Sequence, residues 1–248
     1  MFNEIDRQQI REALLANAAA DGRITGVALT GSASKGCEDR WSDIDLAFGI
    51  ADGVRIDEVI KGWTVQMYED YGSVHHLDVP VGNSIYRVFL LASTLQVDLA
   101  FCPQSEFRAS GPAFRLVHGV AAEPIKHSLP TWQEEAGLAW LHALHARSSI
   151  ERGRIWQAEY MISGIRNHVL MLMCLRYSVS PYQGRGLDLL PSESTEGLLN
   201  SFVQTLDVVE LRRAFVSVTE SLLAEIVMFD SELAVRLREP LRELTSEQ

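Results

Sequence analysis

The hydrophobic pattern of the 248-residue chain changes character near Pro130. Before that point, short runs of β-branched and aromatic residues alternate with segments of helical spacing. After it, Leu, Ala, Glu and Arg recur at helical spacing alone. The pattern predicts an α/β (α+β) domain with a mixed β-sheet over residues 1–122, followed by an all-α helical bundle domain over residues 123–248.

Apolar periodicity also predicts the individual elements of both halves. In the first half it indicates helices over 4–20 and 56–71, and strands over 24–30, 43–50, 73–79, 85–91 and 95–101. Gly-Pro and Glu-Pro pairs mark loops at 111–112 and 123–124. In the second half it indicates helices over 130–148, 154–177, 193–205, 208–228 and 231–244.

The charge and cysteine content exclude several classes of protein. The chain carries 33 acidic and 22 basic residues, a formal net charge of -11. Proteins that neutralise many phosphates need a basic surface, so we expect no nucleic-acid partner. Three widely spaced cysteines imply no disulfide framework, and no apolar segment is long enough to span a bilayer. We therefore expect a cytoplasmic protein without a membrane partner.

A short apolar run over 24–30 ends abruptly at Gly31-Ser32, which is the first candidate binding feature. Glycine lets a ligand approach the backbone closely, and the Ser32 hydroxyl supplies a hydrogen-bond donor. The chain then turns into a predicted short helix, whose exposed N–H groups suit an anion. This turn predicts a phosphate site.

Asp43 and Asp45 are separated by one residue at the start of the second predicted strand. Alternate residues of a strand project from the same face, and Ile44 and Leu46 supply the opposite, buried face. Two carboxylates on one face repel each other unless a cation lies between them. Oxygen ligands of this kind favour magnesium bridged to phosphates.

Asp98 lies in the otherwise apolar segment Val97-Asp98-Leu99 of a later predicted strand. A buried carboxylate without a cation or strong donors costs several kcal/mol. Together with Asp43 and Asp45 it makes three carboxylates, enough to hold two divalent ions about 3.5–4 Å apart. A plain strand-entry turn at Asp43 and Asp45 is the alternative interpretation.

These features occur in a fixed order. Gly31-Ser32 is followed by a ten-residue spacer, then by Asp43-Ile44-Asp45 within the stretch Ser42-Asp43-Ile44-Asp45-Leu46, and later by the strand aspartate Asp98. The sequence therefore resembles the DNA polymerase β-like nucleotidyltransferase superfamily, and within it the branch that modifies aminoglycoside and lincosamide antibiotics. Many members carry arginine where this chain has Lys35, which keeps the charge without bidentate phosphate recognition.

The resemblance implies an adenylyltransferase-type enzyme that moves a nucleoside monophosphate, AMP from ATP, onto a hydroxyl of a small molecule. Gly31, Ser32 and Lys35 would bind the phosphates of the nucleoside triphosphate. Asp43, Asp45 and Asp98 would bind two Mg²⁺ ions, and Asp98 could also take the acceptor's proton. An aminoglycoside or lincosamide acceptor would imply a role in antibiotic resistance.

The helical half carries a second candidate general base, Glu159, because some antibiotic nucleotidyltransferases supply such a glutamate from the helical domain. Trp156 and Tyr160 flank it on the same predicted helix. The competing interpretation is a packed helix in which Glu159 pairs with an arginine. This half would bind the acceptor. Lys35, Arg40 and Arg87 are the candidate triphosphate cations, Lys35 first among them.

One other function is open at this point. A regulatory or toxin–antitoxin-type nucleotidyltransferase module would act on or with a protein partner instead of a small molecule. A transferase acting on RNA ends needs a basic track, which this chain lacks. The sequence leaves the oligomeric state open, with a homodimer as one option.

Overall fold

The computed structural model describes residues 1–125 and 129–246. The chain divides into two compact units, Met1–Ser128 and Leu129–Gln248. The first unit contains a six-stranded mixed sheet with helices, and the second is helical. The predicted fold class is therefore confirmed.

The division between the units lies later in the chain than the boundary expected after residue 122. The segment that follows residue 119 still belongs to the first unit because its backbone is tied there. The Ala122 amide donates to the Phe107 carbonyl, and the Ile125 amide donates to the Ala109 carbonyl. Such backbone hydrogen bonds cannot be predicted from a change in hydrophobic periodicity.

The first unit contains helices and strands in the order α1 (Glu4–Ala20), β1 (Ile24–Thr30), α2 (Gly31–Lys35), β2 (Ile44–Ile50), α3 (Ile56–Glu69), β3 (Ser73–Val81), β4 (Ser84–Leu91), β5 (Gln96–Pro103) and β6 (Phe114–Gly119). The strands lie in the order β3-β4-β5-β2-β1-β6. The β2–β5 pair is parallel and the other pairs are antiparallel.

The two faces of this sheet are covered differently. On the first face, Phe48 of β2 and Phe101 of β5 pack with Trp63 of α3, with ring centroids 4.8–6.4 Å apart. Leu14 of α1 joins the same buried cluster. The second face carries a smaller cluster of alanine and cysteine side chains around Phe107. Burial of large apolar side chains thus fixes which face each strand turns toward α1 and α3.

The strand β6 was not predicted, because its segment Phe114–Gly119 is mostly exposed and lacks an alternating pattern. It forms by pairing with the edge of β1, so a partner strand determines it more than its own sequence does. The other strands and helices of the first unit lie within a few residues of their predicted ranges.

The second unit contains α4 (Trp132–Glu151), α5 (Ile155–Arg176), α6 (Ser192–Thr195), α7 (Val208–Phe229) and α8 (Ser231–Thr245). The alanine stripe Ala136, Ala139, Ala143 and Ala146 of α4 is fully buried in its core, which lets neighbouring helices approach closely. The single helix predicted over 193–205 is wrong. The chain forms the short α6 and a 3₁₀ helix (Glu196–Ser201) instead, in a segment rich in Ser, Thr and Gly.

None of the helices in the described ranges combines the length and the apolar character that crossing a membrane requires.

Candidate functional site

Three carboxylates converge at one end of the β2–β5 pair. Asp45 and Asp98 lie directly opposite each other in the parallel register, and Asp43 immediately precedes β2. Each of the three offers an oxygen, and these oxygens all lie within 4.8 Å of one another. The neighbours Ile44, Leu46, Val97 and Leu99 point into the core on the opposite face. Strand alternation thus directs the aspartates to the face away from α1 and α3.

Gly31 is in direct contact with this cluster. Its φ is +57°, a conformation that favours glycine. A Cβ built on Gly31 would lie 1.8 Å from Oδ2 of Asp45 and 2.7 Å from its Cγ. The backbone turn after β1 and the carboxylate of Asp45 can therefore be this close only because residue 31 has no side chain.

Ser32 contributes a buried polar atom to the same turn. Among the described residues, its Oγ is one of two buried side-chain polar atoms without a hydrogen-bond partner. Such a group costs about 1–3 kcal/mol when unsatisfied, so it is suited to receive a ligand. The helix α2 has only five residues, so its dipole is weaker than that of a long helix. It ends at Lys35, whose side chain is exposed.

Gln96 was missed by the sequence analysis and lies among the carboxylates. Its Nε2 donates to both carboxylate oxygens of Asp98, at 3.0 and 3.1 Å, and lies 3.4 Å from Oδ2 of Asp43. Its spacing of two residues from Asp98 on β5 places both on one face. That spacing was the available signal.

The pKa of Asp98 is raised to about 6, mainly by burial; the hydrogen bonds from Gln96 oppose this rise, and the nearby charge of Asp43 adds to it. The negative charge at Asp98 is therefore incompletely compensated by the surrounding protein groups. A divalent cation would supply that compensation, and three carboxylate oxygens form the hard donor set that Mg²⁺ prefers. The residues present thus fit the metal that the sequence resemblance implies.

The raised pKa of Asp98 predicts a pH-dependent gain of stability for Asp98→Asn in the metal-free protein. The folded protein binds this proton more tightly than the unfolded chain, whose aspartate pKa is 3.8. Stability is therefore lost as pH rises from about 4 through 6. At pH 7 the variant should be more stable by about 1–2 kcal/mol, after a discount for solvent screening.

Urea denaturation in the presence of a chelator, at pH 7 and at pH 4, measures this difference. At pH 4 the difference between Asp98→Asn and the parent protein should largely disappear, because Asp98 is then neutral in the folded protein and ionised in only about half of the unfolded chains. An equal difference at the two pH values would contradict the assigned burial cost.

The loop between α2 and β2 is anchored by a buried arginine of α1. Arg7 Nη1 donates to the backbone carbonyls of Asp39 and Ser42, the latter at 3.1 Å. The Asp39 carboxylate accepts from the Trp41 amide, which closes the turn before Asp43. These bonds hold the approach to β2 in one conformation.

The other positively charged side chains differ in where they lie relative to the carboxylate cluster. Arg87 forms an ion pair with Asp78 at 2.6 Å and contacts Thr64 of α3, so it lies on the face opposite to the carboxylates. The suggestion that Arg87 binds the triphosphate is therefore wrong. Arg40 lies over the ring of Trp41 at 4.4 Å. Arg115 of β6, which was not predicted, donates to the Ala33 carbonyl of α2 at 3.4 Å and adds a positive charge beside the glycine turn.

Glu159 lies on α5 in the second unit and is half-buried. It accepts a hydrogen bond from Ser163 Oγ at 2.6 Å, and Ser163 in turn accepts from Arg166 at 2.7 Å. Arg166 also donates to the Ser201 carbonyl at 2.8 Å. The arginine partner that the alternative interpretation expected is thus present through Ser163. Trp156 and Tyr160 are both exposed on α5.

Comparison with known proteins gives a limited result. No protein-family model matches the sequence, and no curated protein matches it. Solved structures do match, among them an aminoglycoside 6-adenyltransferase from Bacillus subtilis. That match covers 97% of this chain and 99% of the other, with 12% sequence identity and a TM-score of 0.41.

Proposed function

We propose that this protein is a magnesium-dependent nucleotidyltransferase that transfers a nucleoside monophosphate, AMP from ATP, to a hydroxyl of a small acceptor and releases pyrophosphate. The observation that carries the proposal is the convergence of Asp43, Asp45 and Asp98 beside the Gly31 turn. An acidic cluster alone is common on protein surfaces. Its contact with the Gly31 turn, next to the buried and unpartnered Ser32 hydroxyl, supports a site for a metal-bound phosphate.

Asp43, Asp45 and Asp98 would hold the magnesium ions. When bound, the ions would neutralise charge that develops on the attacking and leaving oxygens. The carboxylates themselves fix where the reacting phosphate lies, since they are attached to the two central strands of the sheet. Strand-borne ligands move little, which favours an in-line arrangement of the reacting atoms.

The triphosphate would lie over the turn after β1. Gly31 allows its oxygens to reach the backbone, Ser32 Oγ would donate to one of them, and Lys35 would add a positive charge. The acceptor oxygen forms a bond to the α-phosphorus, and the bond from that phosphorus to the β-bridging oxygen breaks. Pyrophosphate leaves with the electron pair of the broken bond.

The acceptor hydroxyl must lose a proton in this step. Asp98 is the proposed base because it lies on the strand farthest from the Gly31 turn among the three carboxylate positions. Glu159 is the second proposed base, supplied by the helical unit that we propose binds the acceptor. A drop in kcat for Glu159→Gln, at an unchanged affinity for magnesium, would favour Glu159 over Asp98.

We propose an antibiotic as the acceptor, an aminoglycoside or a lincosamide, with a role in resistance. The experiment is pyrophosphate release from each nucleoside triphosphate, with and without Mg²⁺, against a panel of both antibiotic classes. Acceptor-dependent release that a chelator abolishes is the expected result. Absence of release throughout, together with stoichiometric co-purification of a protein, would instead support the regulatory or toxin–antitoxin-type module.

A further inference from the structure

The carboxylate face of the sheet continues, beyond β5, into an exposed apolar surface. Val88 of β4 lies directly opposite Asp98 in the strand register. Tyr86 and Leu90 flank Val88 on the same face, and Leu77 and Val79 of β3 pair with this row. We call these five residues, Leu77, Val79, Tyr86, Val88 and Leu90, the apolar shelf.

The side chains of the shelf are open to solvent. Leu77 is 62% exposed, Leu90 48%, Val79 41% and Tyr86 39%. The largest contiguous apolar patch on a protein surface often has a binding role. The opposite face of the same two strands differs, since Arg87, Asp78 and His76 are engaged there with each other or with α3. The exposure is therefore specific to the carboxylate face.

The position of the shelf relative to the glycine turn indicates its occupant. In the strand order β4-β5-β2-β1, the Gly31 turn follows β1 and the shelf begins at β4. The carboxylates on β2 and β5 lie between them. In-line displacement requires the entering and leaving oxygens to lie on opposite sides of the phosphorus. If the leaving pyrophosphate lies toward β1, the acceptor enters from the side of β4.

The chemistry of the shelf restricts the acceptor further. Among the described positions of β3 and β4 that face this side, His75 carries the only acidic or basic group. The shelf side chains themselves therefore offer apolar contact and no counter-charge. The carboxylates that border the shelf are Asp98, a proposed metal ligand, and Glu106, which accepts a hydrogen bond from Asn83 at the β3–β4 turn. Farther along β2 and β5, where Ala47 and Ala100 lie on the carboxylate face, Phe107 and Phe114 cover that face.

The area also favours a small molecule. Strands lie about 4.8 Å apart, so the shelf extends roughly 10 Å across β4 and β3. A surface of this size exposes on the order of a few hundred Å². A stable interface between two protein chains needs about 800 Å² on each partner.

We propose that the apolar shelf binds an apolar face of the acceptor, so that the substrate is an amphipathic hydroxylated molecule rather than a polycation, which argues against the aminoglycosides among the acceptors proposed above. This inference rests on the proposed nucleotidyl transfer, which sets the direction of entry. It concerns acceptor binding, which can be measured without turnover.

The test uses alkyl glucosides of increasing chain length as probes, kept below the concentrations at which they form micelles. Binding is measured calorimetrically with Mg²⁺ and a non-hydrolysable ATP analogue present. We expect affinity to rise about two- to fourfold per added methylene, the range for partial to full burial. A double variant, Leu77→Gln with Leu90→Gln, should lose this dependence on length.

Val65→Gln is the matched control, because Val65 is 49% exposed on α3, which packs on the opposite face. It should retain the chain-length dependence. Equal affinity along the series, or a double variant that binds like the parent, overturns the proposal. So does a double variant that converts a dimer to a monomer in sedimentation, since the shelf is then an interface between copies.

Failure of the proposed function looks different. In that case the ATP analogue does not bind in a magnesium-dependent manner, and no pyrophosphate is released with any acceptor. The dependence of glucoside binding on chain length, and its loss in the double variant, are measured separately from binding of the ATP analogue and from pyrophosphate release.

Discussion

Asp45→Asn should lower the rate of nucleotidyl transfer by about 10³-fold or more while the protein stays folded. Asp45 lies opposite Asp98 on the adjacent strand and contacts the Gly31 turn, so it is central to the carboxylate cluster. The amide keeps the shape of the side chain and removes its charge. Several kcal/mol of charge stabilisation depend on a bound metal, and each 1.36 kcal/mol changes the rate tenfold.

The matched control is Asp52→Asn, which removes one charge from an exposed turn just beyond β2. It should leave turnover within about twofold, since an isolated surface charge contributes little. Circular dichroism and the thermal midpoint report whether both variants fold. Normal turnover in Asp45→Asn would show that this carboxylate binds no essential metal.

Gly31→Ala should impair both stability and catalysis. A methyl group at this position would lie 1.8 Å from Oδ2 of Asp45, far inside any permitted contact. The positive φ of +57° adds about 1–2 kcal/mol of backbone strain for a non-glycine residue. Either the turn or Asp45 must move, and a displacement of about 1 Å in a positioned group can cost 10²-fold in rate.

Gly53→Ala separates these two effects. Gly53 also has a positive φ, of +80°, but a Cβ there would meet nothing within 4 Å. We expect this control to lose stability by about 1–2 kcal/mol through backbone strain alone, with turnover nearly unchanged. Urea denaturation and pyrophosphate release are measured on both variants. If Gly31→Ala loses no more activity than Gly53→Ala, the contact with Asp45 has no catalytic importance.

Much of the first unit could be predicted because the apolar residues of each strand mark it as a buried strand. Near the start of β2 and of β5, one aspartate stands between two core-facing residues, so the face of that aspartate follows from strand alternation. The convergence of Asp43, Asp45 and Asp98 could be anticipated from that alternation and from the order of the motifs. The parallel register that sets Asp45 opposite Asp98 could not, since it depends on pairing between distant segments.

Other parts depended on contacts that no local pattern encodes. The edge strand β6 forms on β1, and with it comes Arg115 beside α2. Gln96 carries no signal on its own because an exposed glutamine at a strand start is ordinary. Arg87 remained a possible triphosphate partner in the sequence, since charge alone does not reveal that Asp78 and α3 hold it on the other face.

The helical unit shows the same division between local and tertiary determinants. Its long helices follow from apolar periodicity, and the capping box of Thr131 and Glu134 marks the start of α4. Apolar periodicity does not predict the segment after α5, because its short 3₁₀ turns depend on packing against α7. Glu159, Ser163 and Arg166 form a network whose serine link was not foreseen.

The opposition of Asp45 and Asp98 has a consequence for how the molecule assembles. Asp45 and Asp98 are 53 residues apart in the chain, so the two carboxylates meet only when a long intervening segment has been closed. Closing such a segment has an entropic cost that must be met before the contact can stabilise the fold. The divalent ion that we propose would be held by both strands, so it would stabilise the completed sheet and contribute little to its precursors, and ion occupancy would then mark finished folding.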